Sequence, residues 1–232
     1  MNRICTICAR GGSKGVKNKN IRCVDGIPLI RYTILQAQKT GLFDVIAVSS
    51  DNSDILDVAR DSGVKYLVKR PDSLATDASA KVPAIRHCVE MAEKESGLSF
   101  DTFVDLDATS PLRIEQDIID SVAMFEKENR SNLITAAPAR RSPYFNLIEV
   151  GESGVPELSK IWDKSIVRRQ DAPMSYDMNA SIYIWQRKAL FDGPSIFRED
   201  TILYVMPEER SIDVDSELDF KIVEMLLQER GH

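Results

Sequence analysis

Residues 4–20 of the chain read ICTICARGGSKGVKNKN, and this stretch decides the fold. It opens with an apolar run that is typical of a buried strand. A loop with three glycines and the cations Arg10, Lys14 and Lys19 follows at once. Glycines allow unusual φ angles and close approach to a ligand, and successive backbone N–H groups in such a loop can form an anion-binding concavity. The stretch therefore predicts a polyphosphate loop at the carboxyl end of the first strand, where open α/β sheets bind ligands.

The spacing of this loop excludes the two common nucleotide motifs. It has neither the G-x-G-x-x-G of dinucleotide binders nor the G-x-x-x-x-G-K-[ST] of P-loop proteins. An oxidoreductase of the dinucleotide-binding type is therefore not expected. A basic, solvated turn remains open as the alternative to a phosphate site.

Strand-like and helix-like segments alternate through the rest of the chain. Strands are predicted over 44–50, 64–68, 100–106, 132–137, 179–185 and 203–206, and helices over 28–40, 52–62, 80–95, 114–127 and 217–228. This alternation favours parallel pairing with right-handed crossovers. We predict an α/β fold with a Rossmann-like, mixed but mostly parallel sheet flanked by helices, in a single domain over residues 1–232.

Two local details of this prediction concern the helices. Thr109 to Pro111 are predicted to cap the helix over 114–127, with the proline near its first position. The closing helix is predicted to bury one apolar face. That face comprises Leu218, Ile222, Met225 and Leu226.

Composition and charge exclude several classes of function. A net charge of −6 argues against a general nucleic-acid surface. No apolar run approaches the ~20 residues of a membrane span, and the N-terminus lacks a signal-peptide pattern, so a cytoplasmic protein is expected. Cys5 and Cys8 lie inside a predicted buried strand, which indicates reduced structural cysteines rather than a zinc or redox site.

Asp213 and Asp215 form the second informative motif. Residues two apart point to the same side of an extended strand, and two carboxylates on one side repel unless a cation lies between them. Mg²⁺ commonly takes one or two carboxylates together with substrate phosphates. Beside a polyphosphate loop, the pair predicts a Mg²⁺ site. The alternative is that Asp215 or Ser216 is the N-cap of the last helix.

The segment from about 139 to 177 differs from its surroundings. It mixes arginines with aromatic side chains, a composition common in protein interfaces, and Gly151, Gly154 and Pro156 predict a hairpin turn within it. An interface is therefore expected here, with a solvated excursion as the alternative.

Five stretches together resemble the CMP-sialic acid synthetase (acylneuraminate cytidylyltransferase) family. They are ARGGSKGVKNKN at 9–20, RPDSLATD at 70–77, TSPLR at 109–113, SIDVDSELD at 211–219 and NASIYI at 179–184, the last similar to the family's N-G-A-I-Y-I. The resemblance covers nearly the whole chain. It implies the nucleotide-diphospho-sugar transferase type of fold and an enzyme that joins CTP to a nonulosonic acid, giving a CMP-sugar and pyrophosphate with Mg²⁺ as cofactor.

The resemblance also implies site residues. The catalytic residues would be Arg10, Lys14 and Asp215. The nucleotide would be bound by Ala9, Arg10, Gly11, Gly12, Ser13, Lys14, Lys19, Asn20, Arg70, Ala78 and Ser79. Asp213 and Asp215 would hold the metal. The sugar site would include Asp107, Arg169, Gln170, Tyr183 and Phe197. Residues 139–177 would be a dimerisation arm that brings Arg169 and Gln170 to the partner's sugar site in a homodimer.

Two of these roles have ordinary structural alternatives. Arg70 could be a surface charge ahead of Pro71 rather than a nucleotide contact. Tyr183 lies in a predicted strand and could be a core residue.

Asp107 departs from the sialic-acid pattern, where a glutamine stands before T-S-P-L-R. With the tract DLDATSPLR at 105–113, the chain looks more like the legionaminic acid synthetases. Three partners for Asp107 are open: Mg²⁺, an N–H or O–H donor of the sugar, or the helix that follows, as a cap. At the level of function, the alternatives are a cytidylyltransferase for Kdo or pseudaminic acid, and a non-catalytic nucleotide-binding regulator.

Overall fold

The apolar run after Met1 forms the middle of a seven-stranded sheet. In this computed structural model, which describes residues 1–13, 15–76, 79–163, 166–193 and 195–230, β1 (Arg3–Cys8) lies between two parallel neighbours. These are β4 (Val45–Ser50) on one side and β6 (Thr102–Leu106) on the other. The carboxyl ends of the three strands therefore meet at one edge, where the first loop lies.

The remaining strands complete a mixed sheet. They are β5 (Tyr66–Lys69), β7 (Asn132–Pro138), β10 (Tyr176–Gln186) and β11 (Ile202–Val205), and the strand order is β11-β7-β10-β6-β1-β4-β5. Within this sheet, as far as the chain is described, β10 runs antiparallel to its neighbours β6 and β7 and the other pairings are parallel. Two small hairpins lie outside the sheet: β2 (Cys23–Val24) with β3 (Ile27–Pro28), and β8 (Ile148–Val150) with β9 (Pro156–Leu158). The predicted mixed, mostly parallel fold is confirmed.

Helices cover both faces of this sheet. They are α1 (Leu29–Thr40), α2 (Ser53–Asp61), α3 (Lys81–Ser96), α4 (Glu115–Glu128), α5 (Arg187–Phe191) and α6 (Glu217–Arg230). As predicted, α1 starts directly after Pro28 and ends at Gly41, which takes the left-handed conformation. None of the helices in the described ranges is long and apolar enough to cross a membrane.

The core lies on both sides of the sheet because successive strand residues point in opposite directions. Ile4 packs with Phe103 on the face covered by α3 and α5, while Cys5 packs with Val104 on the face covered by α1, α2 and α4. All four cysteines are free thiols, in agreement with the structural role predicted for Cys5.

Two predicted helix details are wrong. α4 begins at Glu115 and its first turn is closed by Asp117, whose Oδ2 accepts a hydrogen bond from Ile114 N at 3.1 Å, so Thr109 to Pro111 are not its cap. In α6 the buried side chains are Phe220, Val223 and Leu227. Leu218 and Met225 of the predicted face are exposed. The inner face of α6 is rotated because its packing partners, such as Val16 and Leu29, come from distant segments.

An irregularity in β10 shapes the site edge of the sheet. The register shifts between Met178 and Tyr183, and Ala180 within the shift has a φ of +52°. The Asn179 side chain closes the bulge, since its Oδ1 accepts from Thr135 Oγ1 at 2.7 Å and from Ser181 N at 3.2 Å. Ala180 is the position at which the similar motif N-G-A-I-Y-I carries glycine.

Replacing Ala180 with glycine should stabilise the protein. A left-handed conformation costs an L-residue about 1–2 kcal/mol, while glycine adds about 0.5–1 kcal/mol of unfolded-state entropy. We expect Ala180→Gly to raise the free energy of unfolding by up to about 1 kcal/mol, measured by urea denaturation. Ala137→Gly, in the neighbouring β7, is the matched control and should lower it by about 1 kcal/mol. Equal losses in the two variants would contradict the strain assigned to Ala180.

Candidate active site

The end of β4 anchors the first part of the loop. Ala9 N donates to Ser49 O at 3.0 Å, and Gly11 N donates to Asp51 Oδ1 at 2.9 Å. A Cβ added at Gly11 would lie 2.8 Å from Cβ of Asn52, so glycine is needed for this approach. The beginning of the loop is thus fastened to the strand next to β1.

The second part of the loop closes against a segment near the other end of the chain. The buried Asn20 donates from Nδ2 to Arg10 O at 2.9 Å. Lys19 Nζ donates to Val214 O at 2.7 Å and to Asp215 Oδ1 at 2.9 Å. Gly15 lies directly on the Asp215 carbonyl, which a side chain at this position would overlap. The two motifs that the sequence analysis singled out are therefore in direct contact.

Two adjoining clefts open at this edge of the sheet. The larger has a volume of about 370 Å³ and the smaller about 220 Å³. The larger is lined by Cys8, Ala9, Arg10, Ser13, Gly15, Lys19, Asn20, Asp107, Ala108, Thr109 and Asp215. The smaller is lined by Cys8, Arg10, Arg70, Leu74, Thr76, Ser79, Ala80, Lys81, Ala84 and Asp107. Cys8, Arg10 and Asp107 line both clefts and mark the boundary between them.

Arg70 is a buried residue at the base of the smaller cleft. It is 5% exposed, and its guanidinium donates to Ser49 O at 2.9 Å and to Ser49 Oγ at 3.2 Å. The alternative of a surface charge is therefore wrong for Arg70. Ser79 lines the same cleft, and its hydroxyl bonds within the turn that precedes α3. Ala78 and Lys14, two further predicted nucleotide contacts, lie outside the described residues.

The segment with Asp213 and Asp215 lies outside the described strands, and the two side chains line different cavities. Val214 between them is fully buried, and its N–H donates to Thr109 O at 2.9 Å. Ser216 is the residue at the start of α6: its Oγ accepts from Asp219 N, and Asp219 Oδ2 accepts from Ser216 N at 2.7 Å. The capping role is thus filled by Ser216, and the Asp215 carboxylate is left facing the larger cleft.

Negative charge is concentrated where a metal was predicted. Burial, followed by the carboxylates of Asp215 and Asp107, raises the pKa of Asp213 to about 6. No group of three or more acidic, histidine or cysteine side chains in the described ranges is arranged to hold a metal by itself. Two carboxylates are sufficient for Mg²⁺ only when substrate oxygens complete its shell.

A lysine that the sequence analysis did not single out connects two carboxylates beside the clefts. Lys81 Nζ lies 3.0 Å from Asp105 Oδ2 and 2.9 Å from Asp107 Oδ2. The other oxygen of Asp107 accepts from Thr109 N at 2.8 Å and Thr109 Oγ1 at 2.7 Å. Burial opposes the ionisation of Asp107, but Lys81 and Thr109 outweigh it and hold the Asp107 pKa well below its usual range.

Comparisons with known proteins identify the family of the chain. The family model described as Cytidylyltransferase matches residues 4–228. The chain belongs to this family. It is 48% identical to post-translational flagellin modification protein B of Campylobacter coli, over 98% of this chain and 96% of that protein. It is also 48% identical to CMP-N,N'-diacetyllegionaminic acid synthase of Campylobacter jejuni, over 97% of this chain and 94% of that protein.

A solved structure shows the same fold at low sequence identity. It is CMP:2-keto-3-deoxy-manno-octonic acid synthetase complexed with CTP, with a TM-score of 0.71 and 14% identity, covering 99% of this chain and 100% of that one. The match shows that the cytidylyltransferase has this fold.

Four of the predicted sugar-site residues lie outside the two clefts of the cytidylyltransferase. Tyr183 is buried and stacks on Trp185, with ring centroids 5.4 Å apart, so it packs in the core as the alternative interpretation held. Phe197 is 60% exposed on the loop before β11. Arg169 and Gln170 lie in a short 3₁₀ turn, where Arg169 donates to Ala139 O. Within the described residues, only Asp107 of the predicted sugar set lines a cleft.

Arg113 of the T-S-P-L-R motif is buried below the clefts and joins β10 to α1. It is 1% exposed, and it donates to Ser181 O at 2.7 Å and to Thr33 Oγ1 at 3.1 Å. Burial lowers the pKa of Arg113 to about 10. The sequence analysis used this motif only as a family mark. No sequence signal identifies this role, because arginine is mostly exposed and is buried only where the fold pairs it.

The contact between Gly15 and Asp215 gives a stability prediction. Gly15→Ala should lower the melting temperature by several degrees because the added methyl group meets a backbone carbonyl that cannot rotate away. Gly12→Ala is the matched control, since no atom lies within 4 Å of a Cβ at that position. Calorimetry on both variants measures the difference. A melting temperature for Gly15→Ala within about one degree of that for Gly12→Ala would show that the two segments are not in this contact.

Proposed function

We propose that this cytidylyltransferase activates a nonulosonic acid of the legionaminic type with CTP, releasing pyrophosphate. The observation that carries the proposal is the contact of the glycine-rich loop with the Asp213–Asp215 segment at one cleft, beside Asp107. The relative from Campylobacter jejuni named CMP-N,N'-diacetyllegionaminic acid synthase supports this choice of sugar.

The chain's own residues supply positioning and charge. The triphosphate of CTP would lie in the larger cleft against the loop of Arg10 to Ser13, whose glycines leave the backbone accessible. Arg70 and Ser79 line the smaller cleft, which would accept the ribose and base. The anomeric hydroxyl of the sugar acid then attacks the α-phosphorus in line. An oxygen–phosphorus bond forms, the α–β anhydride bond breaks, the hydroxyl proton leaves to solvent, and pyrophosphate departs beside Arg10 and Lys14.

The donor set fits a magnesium ion. Asp215 presents a carboxylate in the larger cleft, and Asp213 would supply a second oxygen ligand from the same segment. Burial and the nearby carboxylate of Asp215 raise the pKa of Asp213, and a cation between the two carboxylates would relieve their repulsion. Asp215 forms an ion pair with Lys19, and a bound metal ion would take the place of this ammonium group. Held by Asp213 and Asp215, Mg²⁺ would supply positive charge that neutralises the negative charge developing on the phosphates.

Pyrophosphate release tests the function directly. The purified protein is incubated with Mg²⁺, CTP and, in separate reactions, N,N'-diacetyllegionaminic acid, N-acetylneuraminic acid, pseudaminic acid and Kdo. Fastest release with the diacetyllegionaminic acid is expected, and ATP, GTP and UTP serve as nucleotide controls. An absence of release with all four sugar acids would refute the proposed function.

Asp215→Ala should abolish turnover, and Asp213→Ala should cost less. Asp215 lines the larger cleft, whereas the partly buried Asp213 is already easier to protonate. The measurement is kcat against Mg²⁺ concentration, with binding of Mn²⁺ followed by electron paramagnetic resonance. Asp120→Ala, which removes an exposed carboxylate on α4, is the control and should be neutral. Normal rates for Asp215→Ala at low Mg²⁺ would remove this residue from the metal site.

We also propose that residues 139–177 form a homodimer arm. This segment has several exposed apolar side chains around the β8–β9 hairpin. They include Ile148, Val150, Val155, Ile161, Val167 and Met174. Soluble monomers rarely expose so many apolar side chains close together. In a dimer, the arm would bring Arg169 and Gln170 to the partner's clefts, which accounts for their position away from the clefts of their own chain.

Ile161 provides the test because it is 90% exposed. We expect sedimentation velocity to show a dimer for the natural protein and Ile161→Asp to shift it toward monomer by at least about tenfold in dissociation constant. Leu218→Asp, which replaces an exposed apolar residue outside the arm, should leave the dimer intact. A fully active monomer would refute both the arm and a role for Arg169 in the partner's site.

A further inference from the structure

Lys81 lies at a helix position where a positive charge is unfavourable. It is the first residue of α3, where the positive end of the helix dipole repels a cation. Ala80 before it provides no side-chain cap. The local sequence therefore does not explain a lysine here, and the explanation must lie in what its ammonium group contacts.

The ammonium group lies at a point on which two carboxylates converge. Asp105 Oδ2 and Asp107 Oδ2 lie 3.0 Å and 2.9 Å from Nζ, and the ring of Tyr183 lies beside it with its centroid at 4.8 Å. Of these neighbours, Asp107 accepts a hydrogen bond from Nζ, while Asp105 lies at ion-pair distance. Lys81 is thus tied to Asp107, and it can act on a ligand through the position of that carboxylate.

Asp107 keeps one direction open. A carboxylate has about four acceptor positions. The bonds from Lys81 Nζ, Thr109 N and Thr109 Oγ1 take three of them. Asp107 lines both clefts, so the remaining position faces the site. A fixed, ionised carboxylate with one free lone pair suits an N–H or O–H donor.

We infer that Lys81 is a positioning residue for Asp107. Its ammonium fills the cation position between Asp105 and Asp107. Asp107 therefore accepts a hydrogen bond from the sugar acid and does not ligate metal. This inference rests on the proposed function for the identity of the sugar. Its statement about metal depends only on the ion pairs.

Kinetics of single and double variants test the sugar part. Lys81→Met and Asp107→Asn should each raise KM for N,N'-diacetyllegionaminic acid at least about tenfold, while KM for CTP changes by less than about twofold. The sugar KM of the double variant should not exceed that of the more impaired single variant, because both changes remove the same contact. Lys39→Met, which breaks an exposed ion pair with Glu115 away from the clefts, is the control and should leave both KM values unchanged. Equal rises in both KM values, or losses that multiply in the double variant, would overturn the inference.

Titration with Mn²⁺ tests the metal part without turnover. Electron paramagnetic resonance in the presence of CTP should give the same Mn²⁺ affinity for the natural protein and Asp107→Asn. Lys81→Met should gain an additional Mn²⁺ site, because two unpaired carboxylates then converge on one point, and the added change Asp107→Asn should remove it. Weaker Mn²⁺ binding in Asp107→Asn alone would make Asp107 a metal ligand and refute the inference.

The two measurements separate this inference from the proposed function. If the natural protein releases no pyrophosphate with any sugar acid, the proposed function is refuted. The Mn²⁺ titration then still decides whether Lys81 excludes metal from Asp107. If Lys81→Met is poorly folded, Lys81→Met combined with Asp105→Asn removes the unpaired buried carboxylate and keeps Asp107. That variant should show the same rise in sugar KM.

Discussion

A buried carboxylate in the middle of the sheet is the constraint on which the site depends. Asp105 is fully buried on β6, between β1 and β10. A charge in such a place costs several kcal/mol unless it is paired and hydrogen-bonded. Thr6 Oγ1 donates to one oxygen at 2.8 Å, and Lys81 Nζ lies 3.0 Å from the other. These partners fix the start of α3 relative to β1 and β6, and with it the wall of the smaller cleft.

Similar buried pairings hold the rest of the site edge. The guanidinium of Arg113 joins the bulge of β10 to α1 through Ser181 and Thr33, and that of Arg70 joins the turn after β5 to Ser49. Each pairing satisfies donors that would otherwise be lost from water, so each also restricts the backbone that carries it. The clefts are consequently shaped by strand ends and by loops that these pairings hold in place.

The glycine-rich loop after β1 shows how distant segments complete one surface. Its first half is fastened to the end of β4 and its second half to the Asp213–Asp215 segment, through Lys19 and the contact at Gly15. Because Ser216 is the cap of α6, Asp215 is free for the cleft. The chain has an overall charge of −6, yet cations from the loop meet carboxylates from the late segment at this one place.

The sequence by itself determined the alternation of strands and helices, the location of the loop, and the pairing of motifs that marks a cytidylyltransferase. The alternation and the loop follow from periodicity and from glycine and charge spacing, which are local properties, and the family follows from the resemblance of five motifs. Only the tertiary structure decided the inner face of α6, the burial of Arg70, the core position of Tyr183 and the role of Lys81. All four features depend on which surfaces meet after folding. α6 packs against partners such as Val16 and Leu29, and Lys81 contacts Asp107, which is 26 residues away in the chain. Local propensity contains no information about such contacts, because their energy comes from burial and charge pairing between segments far apart in sequence.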